Sequence, residues 1–269
     1  MLQQKLKNLR AYFEKLDTVA IAFSGGVDST FMLKVAADTL SKEKVLAIKM
    51  SSAFFTKCEK EETETFCRQQ GINHLFLPVD VLRIDGVAQN PANRCYLCKN
   101  ALFGRMKRFV AERGFVYVCE GSNADDSFDD RPGMKAVEEL NIKSPLRSVG
   151  LTKGEIRALS KELNLPTWDK PSFACLASRV AYGEEITTEK LQMIEEAEQL
   201  LSALGFAQRR VRLHGKVARI EILPQDFEKI IDPDTRAEIN EKFSALGFSY
   251  ISLDLEGFRA GSMNKTINR

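Results

Sequence analysis

The hydrophobic pattern of residues 1–165 alternates between two kinds of segment. Short apolar runs such as TVAIAF at 18–23 are too short for a helix and are typical of buried parallel strands. The segments between them have a helical period, and residues 1–16 form an amphipathic pattern of the same kind. The pattern predicts strands at 18–23, 44–49, 74–79 and 115–120, and helices at 30–40, 57–70, 102–113 and 151–163. This alternation predicts an α/β fold with a doubly wound parallel sheet.

The pattern changes in PTWDKPSFACLASR at 166–179, which has neither a helical nor a strand period and carries the only tryptophan. We therefore predict two domains, 1–165 and 166–269, the second being a smaller α/β domain. Its elements are predicted as a helix at 187–204, hairpin strands at 209–213 and 217–223, a helix at 224–243 interrupted near Asp232-Pro233, and a strand at 250–253.

Charge and composition narrow the class of protein. The chain has 39 Lys and Arg against 37 Asp and Glu, a net charge of +2, which argues against a strongly basic nucleic-acid binder. Its apolar runs are far shorter than the ~20 residues of a membrane span, and residues 1–16 lack the apolar core of a signal peptide. We expect a cytoplasmic protein without a membrane or nucleic-acid partner. In a reducing compartment its six cysteines are thiols, metal ligands or core residues rather than disulfides.

The most specific motif is Ser24-Gly25-Gly26-Val27-Asp28-Ser29, between a predicted strand and a predicted helix. Two adjacent glycines allow a tight turn and close approach to a ligand, and the first N–H groups of the helix face an anion. Ser24 and Ser29 add hydroxyl donors, and Asp28 is a hard oxygen ligand suited to Mg²⁺. The lysine of a Walker loop is absent. The motif predicts a phosphate-binding loop rather than a simple glycine turn.

Cysteines form a second group of candidates. Cys95 and Cys98 are spaced to bind one metal, and Cys175 would complete a three-ligand site. Three thiolates suit an iron–sulfur cluster with one open iron, whereas a structural zinc would need a fourth ligand; an ordinary pair of thiols is the alternative. Cys175 lies among small residues near Arg179, which favours its thiolate, so it is a candidate nucleophile or sulfur donor, although an unreactive loop cysteine fits equally well. The remaining cysteines are predicted core residues: Cys58, Cys67 and Cys119.

The SGGVDS string resembles the PP-loop of the adenine-nucleotide alpha-hydrolase-like ATP pyrophosphatases, which cleave ATP between the α and β phosphates and adenylate an acceptor oxygen. The resemblance implies an adenine site near Ala47 to Met50 and a second nucleotide loop at GSNADD, 121–126. From the residues alone, Asp125 and Asp126 form either a metal or ribose site or a solvated turn. The implied nucleotide-binding residues are Ser24, Gly25, Gly26, Asp28, Ser29, Met50, Gly121, Asn123 and Asp125.

A closer resemblance rests on SGGVDS, NRCYLCK, EGSNADD, WDKPSFACLASR, RVRLHGKVARIEI and LDLEGFRAGSMN together. Over nearly its whole length the chain resembles the LarE-type pyridinium-3,5-biscarboxylic acid mononucleotide sulfurtransferases. The resemblance implies that ATP adenylates a substrate carboxylate, which becomes a thiocarboxylate in the synthesis of the nickel-pincer nucleotide of lactate racemase. One version of the family sacrifices a cysteine equivalent to Cys175; the other holds a 4Fe–4S cluster on three cysteines. With Cys95 and Cys98 beside Cys175, this chain resembles the cluster version.

Such a reaction needs further groups. The implied substrate carries a phosphate, and Arg210 and Arg212 alternate to one face of a predicted strand, where they can form a bidentate clamp. Arg179 and Arg259 are further candidates, and solvated surface charges are the alternative for each arginine. Glu221 is predicted to orient these arginines or to act as a general base. Mg²⁺ on Asp28 would neutralise the leaving pyrophosphate. The resemblance also implies a homo-oligomer and a donor that reloads sulfur.

Two alternative functions remain open from the sequence. A PP-loop tRNA thiolase would use the same adenylation and a cysteine-bound cluster, but it must hold a polyanion, and a net charge of +2 without a basic extension counts against it. In a non-catalytic nucleotide-binding regulator, Asp28, Cys175 and the arginines would be incidental. Pyrophosphate release in response to the pyridinium mononucleotide distinguishes both from the sulfurtransferase.

Overall fold

The protein divides into two compact units. The computed structural model describes residues 1–55, 57–126, 133–171, 174–259 and 261–266. The first unit consists of Met1–Asp80 and Cys95–Phe173, and the second of Val81–Arg94 and Ala174–Arg269. The main part of the second unit begins within the aperiodic segment 166–179, where the sequence predicts a junction. The second unit also includes residues 81–94, which the sequence assigns to the first domain.

A parallel sheet forms the centre of the first unit, as predicted. Its strands are β1 (Val19–Ala22), β2 (Val45–Ser51), β3 (Asn73–Pro78) and β4 (Tyr117–Cys119), in the order β3-β2-β1-β4. Ile21 of β1 pairs with Ala47 of β2 and with Cys119 of β4, and all of these pairings are parallel. Ile21 and Ala20 lie in separate hydrophobic clusters because successive side chains of a strand point to opposite faces. Both faces of the sheet are therefore covered, which confirms the doubly wound α/β fold.

The helices of the first unit are α1 (Leu2–Glu14), α2 (Val27–Thr39), α3 (Lys57–Gln70), α4 (Arg94–Ala111), α5 (Gly133–Glu139), α6 (Pro145–Ser148) and α7 (Lys153–Glu162). Both α2 and α4 begin earlier than the apolar pattern predicts, because polar, glycine and cysteine residues in their first turns do not extend an apolar stripe. As a result Asp28 lies in the first turn of α2, and Cys95 lies in the first turn of α4. The short helices α5 and α6 are absent from the predicted set.

The second unit contains α8 (Thr188–Ala203), β5 (Arg209–His214), β6 (Val217–Ile222), α9 (Phe227–Ile231), α10 (Pro233–Leu246) and β7 (Tyr250–Leu253). The predicted hairpin is confirmed: β5 and β6 are antiparallel, and β7 joins β6 in parallel. The predicted helix interruption is also confirmed, because Asp232 caps α10 by accepting a bond from Thr235 N at 3.1 Å, and Pro233 occupies the first turn. None of the helices in the described ranges is long and apolar enough to cross a membrane.

Candidate functional site

The SGGVDS motif forms the turn between the carboxyl end of β1 and the start of α2. Gly25 has a φ of 80°, and a Cβ atom there would lie 3.2 Å from the Thr63 hydroxyl oxygen, so any other residue would be strained at this position. Ser24 and Ser29 are hydrogen bonded across the loop, with 2.9 Å between their Oγ atoms. Within the described ranges no side chain caps the start of α2. Because the first-turn N–H groups of a helix have no intrahelical acceptors, this turn is suited to an anion.

Asp28 is held by side chains from two other segments of the first unit. Its carboxylate is ion-paired with Lys153, which opens α7, and accepts a bond from Asn123 Nδ2 at 3.3 Å. The structure thus brings together Asp28 and Asn123, both predicted as nucleotide-binding residues. Lys153 is not in the predicted set. It places a cation at the SGGVDS turn although the motif has no Walker lysine.

The loop after β4 is fixed by a buried carboxylate. Glu120 Oε2 accepts from Ser122 Oγ at 2.8 Å, and Glu120 Oε1 accepts from Ser144 Oγ at 2.6 Å. A Cβ atom on Gly121 would lie 3.3 Å from the backbone nitrogen of Ser29, so glycine allows this loop to lie against the start of α2. The predicted Gly121 and Asn123 are therefore at the SGGVDS turn.

The two acids of this loop make hydrogen bonds to backbone N–H groups. Asp125 Oδ2 accepts from the backbone N–H of Lys153 at 2.7 Å, and Asp126 Oδ2 accepts from that of Asn123 at 3.1 Å. These contacts order the loop and place the first turn of α7 beside it. A metal or ribose role for either acid remains a prediction.

Two further lysines reach the SGGVDS turn. Lys49 Nζ donates to the carbonyl oxygen of Ser24 at 2.8 Å, and Lys170 Nζ donates to that of Gly25 at 3.2 Å. Lys49 is only 3% exposed within the buried strand β2. It is absent from the predicted site residues, although the sequence shows a lysine inside an apolar strand. Its neighbour Met50 packs into a hydrophobic cluster, and the adenine role predicted there is untested.

In the second unit, half-buried Cys175 directly precedes a 3₁₀ turn at Leu176–Arg179. Arg179 is 1% exposed, and two of its nitrogens bind Glu198 at 2.9 and 3.0 Å. Its Nη1 donates to the carbonyl oxygens of Ala174 at 2.5 Å and Cys175 at 3.0 Å. Arg179, predicted as a phosphate ligand, thus holds the backbone of the cysteine loop.

The predicted arginines 210 and 212 lie on one face of β5. Arg212 donates to Glu221 Oε2 at 2.8 and 3.1 Å and to the carbonyl oxygen of Ser178 at 3.1 Å. Glu221 is fully buried and also binds Arg219 at 3.0 Å. Both carboxylate oxygens of Glu221 are therefore already ion-paired with arginines. This arrangement favours the predicted role of Glu221 in orienting arginines over its role as a general base. Arg210 stacks 5.1 Å from the ring centre of Phe258.

Arg179, Arg210 and Arg212 form a buried arginine cluster, and bringing these positive charges together carries an electrostatic cost. Burial, together with the nearby positive charge of Arg179, lowers the pKa of Arg210 to about 10. Burial also lowers the pKa of Arg212. Burial alone would raise the pKa of Glu198, but Arg179 holds it below its usual value. A bound anion would relieve the repulsion among these buried cations, so the face is suited to a phosphate.

Arg259 is connected to this cluster through an acidic side chain. Its Nη1 binds Asp254 at 3.1 Å, and Asp254 is also ion-paired with Arg219. The hydrogen bond to Asp254 raises the pKa of Arg259. Arg259 therefore supports the cluster through Asp254, and its predicted contact with a substrate phosphate remains untested.

The cysteines divide between the two units. Cys95 and Cys98 lie one turn apart at the start of α4, whereas Cys175 belongs to the second unit. Among the described residues, no three His, Cys, Asp or Glu side chains form a group that could hold a metal. The three-cysteine site therefore remains a prediction. Cys67 and Cys119 are buried, as predicted, and burial raises the pKa of Cys67 to about 12. The side chain of Cys58 lies outside the described residues.

Comparisons with known proteins identify the family. Residues 1–94 match the NAD synthase family. The chain is 40% identical to an uncharacterised protein of Synechocystis, and the alignment covers 100% of both proteins. It is 35% identical to the pyridinium-3,5-bisthiocarboxylic acid mononucleotide synthase of Lactiplantibacillus plantarum, covering 100% of this chain and 96% of the relative. A protein of Methanocaldococcus jannaschii is 32% identical over 95% of this chain and 96% of its own length. The chain therefore belongs to the LarE-type family of ATP-dependent PP-loop sulfurtransferases.

Proposed function

We propose that this protein uses ATP to convert the carboxylates of pyridinium-3,5-biscarboxylic acid mononucleotide into thiocarboxylates, with release of AMP and pyrophosphate. The name of the Lactiplantibacillus relative supports this substrate class. The observation that carries the ATP-dependent step is Asp28, held by Asn123 and Lys153 at the uncapped SGGVDS turn. A carboxylate accepts sulfur poorly because its leaving group would be oxide. A mixed anhydride with AMP supplies a good leaving group.

In the first unit, the N–H groups of the SGGVDS turn and the hydroxyls of Ser24 and Ser29 bind the phosphates. Lys153 Nζ provides a positive charge for the departing pyrophosphate. The carboxylate of Asp28 is a hard oxygen ligand that fits Mg²⁺ and would hold it in exchange for Lys153. Bound Mg²⁺ would supply charge neutralisation on the phosphates.

In the second unit, the arginine cluster binds the phosphate of the substrate. Arg210 contributes a buried cation, and Glu221 orients Arg212 on the same face. Arg179 binds the carbonyl groups of Ala174 and Cys175 and so fixes the peptide groups on both sides of Cys175. Cys175 participates in sulfur delivery. The iron content of the protein tests whether Cys95, Cys98 and Cys175 together hold a cluster.

The test of this function is an anaerobic reaction of the full chain with Mg-ATP and the pyridinium biscarboxylate mononucleotide. We expect pyrophosphate, AMP and a product whose mass shows replacement of oxygen by sulfur. Asp28→Asn should abolish AMP formation while leaving the circular dichroism spectrum unchanged. Pyrophosphate release stimulated by bulk tRNA alone would contradict the proposal and favour a tRNA thiolase, whereas ATP binding without turnover on either substrate would favour a regulator.

The source of sulfur is tested in the same reaction by the mass of the Cys175 peptide. We propose that this chain follows the cluster version of the family, so the Cys175 peptide should remain intact while product forms. Loss of the elements of hydrogen sulfide from that peptide would instead identify Cys175 as the donor. Cys95→Ser or Cys98→Ser should remove iron from protein prepared without oxygen, and unchanged iron content would contradict the three-cysteine site.

A further inference from the structure

The cysteine loop of the second unit, residues 174–181, is held through its carbonyl groups. Its regular structure is limited to the 3₁₀ turn and a bridge between Val180 and Leu213, and several of its carbonyl groups accept hydrogen bonds from side chains. Arg179 binds the carbonyls of Ala174 and Cys175, and Arg212 binds that of Ser178. The carbonyls of Ala177, Val180 and Ala181 are bound by two other side chains, which come from residues 81–94.

These two side chains belong to Asn90 and Arg94. Asn90 Nδ2 donates to the carbonyl oxygens of Ala181 at 2.7 Å and Val180 at 3.3 Å. Arg94 Nη1 donates to that of Ala177 at 3.1 Å. Arg94 is also hydrogen bonded to Asn90 Oδ1, so the two side chains act as one unit, which we term the clasp.

Both side chains of the clasp are buried, and further contacts join them to the loop. Asn90 is 0% exposed and Arg94 is 2% exposed. The Arg94 guanidinium lies 5.4 Å from the ring centre of Tyr182. Backbone bonds from Gly183 N to Asn90 O at 2.9 Å and from Ile186 N to Ala88 O at 2.8 Å join the same two segments. The clasp therefore fixes the conformation of the loop that follows Cys175.

We propose that Asn90 and Arg94 are positioning residues that hold Cys175 in the geometry required for sulfur delivery. The clasp binds the loop by its carbonyls, while Cys175 is half-buried and Ala174 is exposed, so the restraint acts on the backbone. Sulfur transfer needs the donor atom aligned with the activated carboxylate, and small misplacements slow such steps strongly. The delivery role rests on the proposed function, whereas the restraint of the loop does not.

Asn90 allows an unusually clean substitution. Its φ is 55°, in the left-handed region, so Asn90→Gly removes the amide without adding backbone strain. Arg94→Met removes the guanidinium and keeps an apolar stem, and Arg94→Lys is the conservative variant. Lys216→Met, at an exposed position of the same unit, is the matched control for loss of a positive charge.

The first measurement is hydrogen exchange and alkylation in the full chain. In Asn90→Gly and Arg94→Met proteins prepared without iron, we expect amides of the 174–183 peptide to exchange about tenfold faster than in the unaltered protein prepared in the same way, and Cys175 to react faster with iodoacetamide. Peptides that cover the SGGVDS turn should be unchanged, as should the Lys216→Met protein. Exchange and alkylation equal to those of the unaltered protein would overturn the proposal.

The second measurement separates positioning from general damage. Substrate-dependent pyrophosphate release in a single turnover should stay within about twofold in the clasp variants, whereas the release of AMP and the formation of thiocarboxylate should slow by about 10- to 100-fold. Arg94→Lys should recover part of the rate, and the double variant should be no worse than the poorer single variant. Equal losses in both steps would overturn the positioning role. If the unaltered chain forms no thiocarboxylate, the proposed function fails, but exchange and alkylation still decide whether the clasp restrains Cys175.

Discussion

Asp28 and Lys153 form an ion pair that supplies a positive charge to the SGGVDS turn, which has no Walker lysine. Lys153 is 125 positions from Asp28 in the chain and reaches it because α7 begins beside the loop after β4. The ion pair neutralises Asp28 before nucleotide binds. Mg²⁺ at Asp28 would release the ammonium group toward the phosphates, since a dication satisfies the carboxylate in its place.

Lys153→Met should therefore lower the rate of substrate-dependent pyrophosphate release by about 100-fold, the typical cost of losing one preorganised charge-stabilising group. Lys153→Arg should retain more activity because it keeps the charge. Lys7→Met, at an exposed position of α1, is the control and should behave like the unaltered protein. A turnover rate that is unchanged in Lys153→Met would remove this lysine from the phosphate site.

Arg179 and Glu198 form a buried ion pair that joins the cysteine loop to α8. Glu198 Oε1 also accepts the backbone N–H of Val211 in β5 at 3.0 Å. Removing one partner leaves the other charge buried, so Glu198→Gln should lower the free energy of unfolding by about 3 kcal/mol. Glu196→Gln, at an exposed position of the same helix, should change it by less than about 0.5 kcal/mol. Urea unfolding of the three proteins measures both values.

The Arg179–Glu198 ion pair predicts that the free energy of unfolding depends on pH. The folded protein lowers the pKa of Glu198, so the unfolded chain binds its proton more readily. The stabilisation is therefore present above the unfolded pKa, about 4.3, and is lost as the pH falls through the lower folded pKa. The difference in unfolding free energy between the unaltered protein and Glu198→Gln should shrink at acidic pH. A difference that stays constant down to acid unfolding would contradict this origin.

Helix α7 begins at a capping box formed by Thr152 and Glu155. Thr152 Oγ1 accepts from Glu155 N at 3.3 Å, and Glu155 Oε2 accepts from Thr152 N at 2.9 Å. Lys153 is the next residue, so the capping box also fixes the backbone position from which the Lys153 side chain extends to Asp28.

Thr152→Ala should lower the free energy of unfolding by about 1 kcal/mol, measured by urea denaturation. It should also raise the KM for ATP, because the first turn of α7 carries Lys153. Thr152→Ser keeps the hydroxyl and should restore both properties. Loss of stability without any change in the KM for ATP would show that the box supports the helix but not the nucleotide site.

The two units carry different parts of the proposed chemistry. The first holds the SGGVDS turn, and the second holds Cys175 and the arginine cluster. Adenylation and sulfur delivery should therefore be separable by substitution. Cys175→Ala should still release pyrophosphate when the pyridinium mononucleotide is added, but it should form no thiocarboxylate, as mass spectrometry of the products will show. Loss of both activities in a folded Cys175→Ala protein would contradict this division.

Local patterns determined much of this protein. Apolar runs and helical periods predicted the parallel sheet, and Asp232-Pro233 predicted the break before α10, because strand alternation, capping and proline geometry act between near neighbours in the chain. The SGGVDS turn was predictable for the same reason, since glycine conformation and a helix start place its N–H groups. Glu198 also left a local signal, an acid on the buried stripe of α8, and sequence reasoning missed it.

Contacts between distant segments were decided only by the tertiary structure. No periodicity in the chain links Lys153 to Asp28, Arg179 to Glu198, or Asn90 and Arg94 to the loop after Cys175. Each of these contacts joins polar atoms that two separately positioned elements bring within hydrogen-bond reach. For Arg179, Asn90 and Arg94 burial selects the partners, because a desolvated charge or polar group must be satisfied by whatever hydrogen-bonding group the fold places beside it. The sequence by itself therefore determined the elements and the phosphate-binding turn, and packing decided which side chains complete the site.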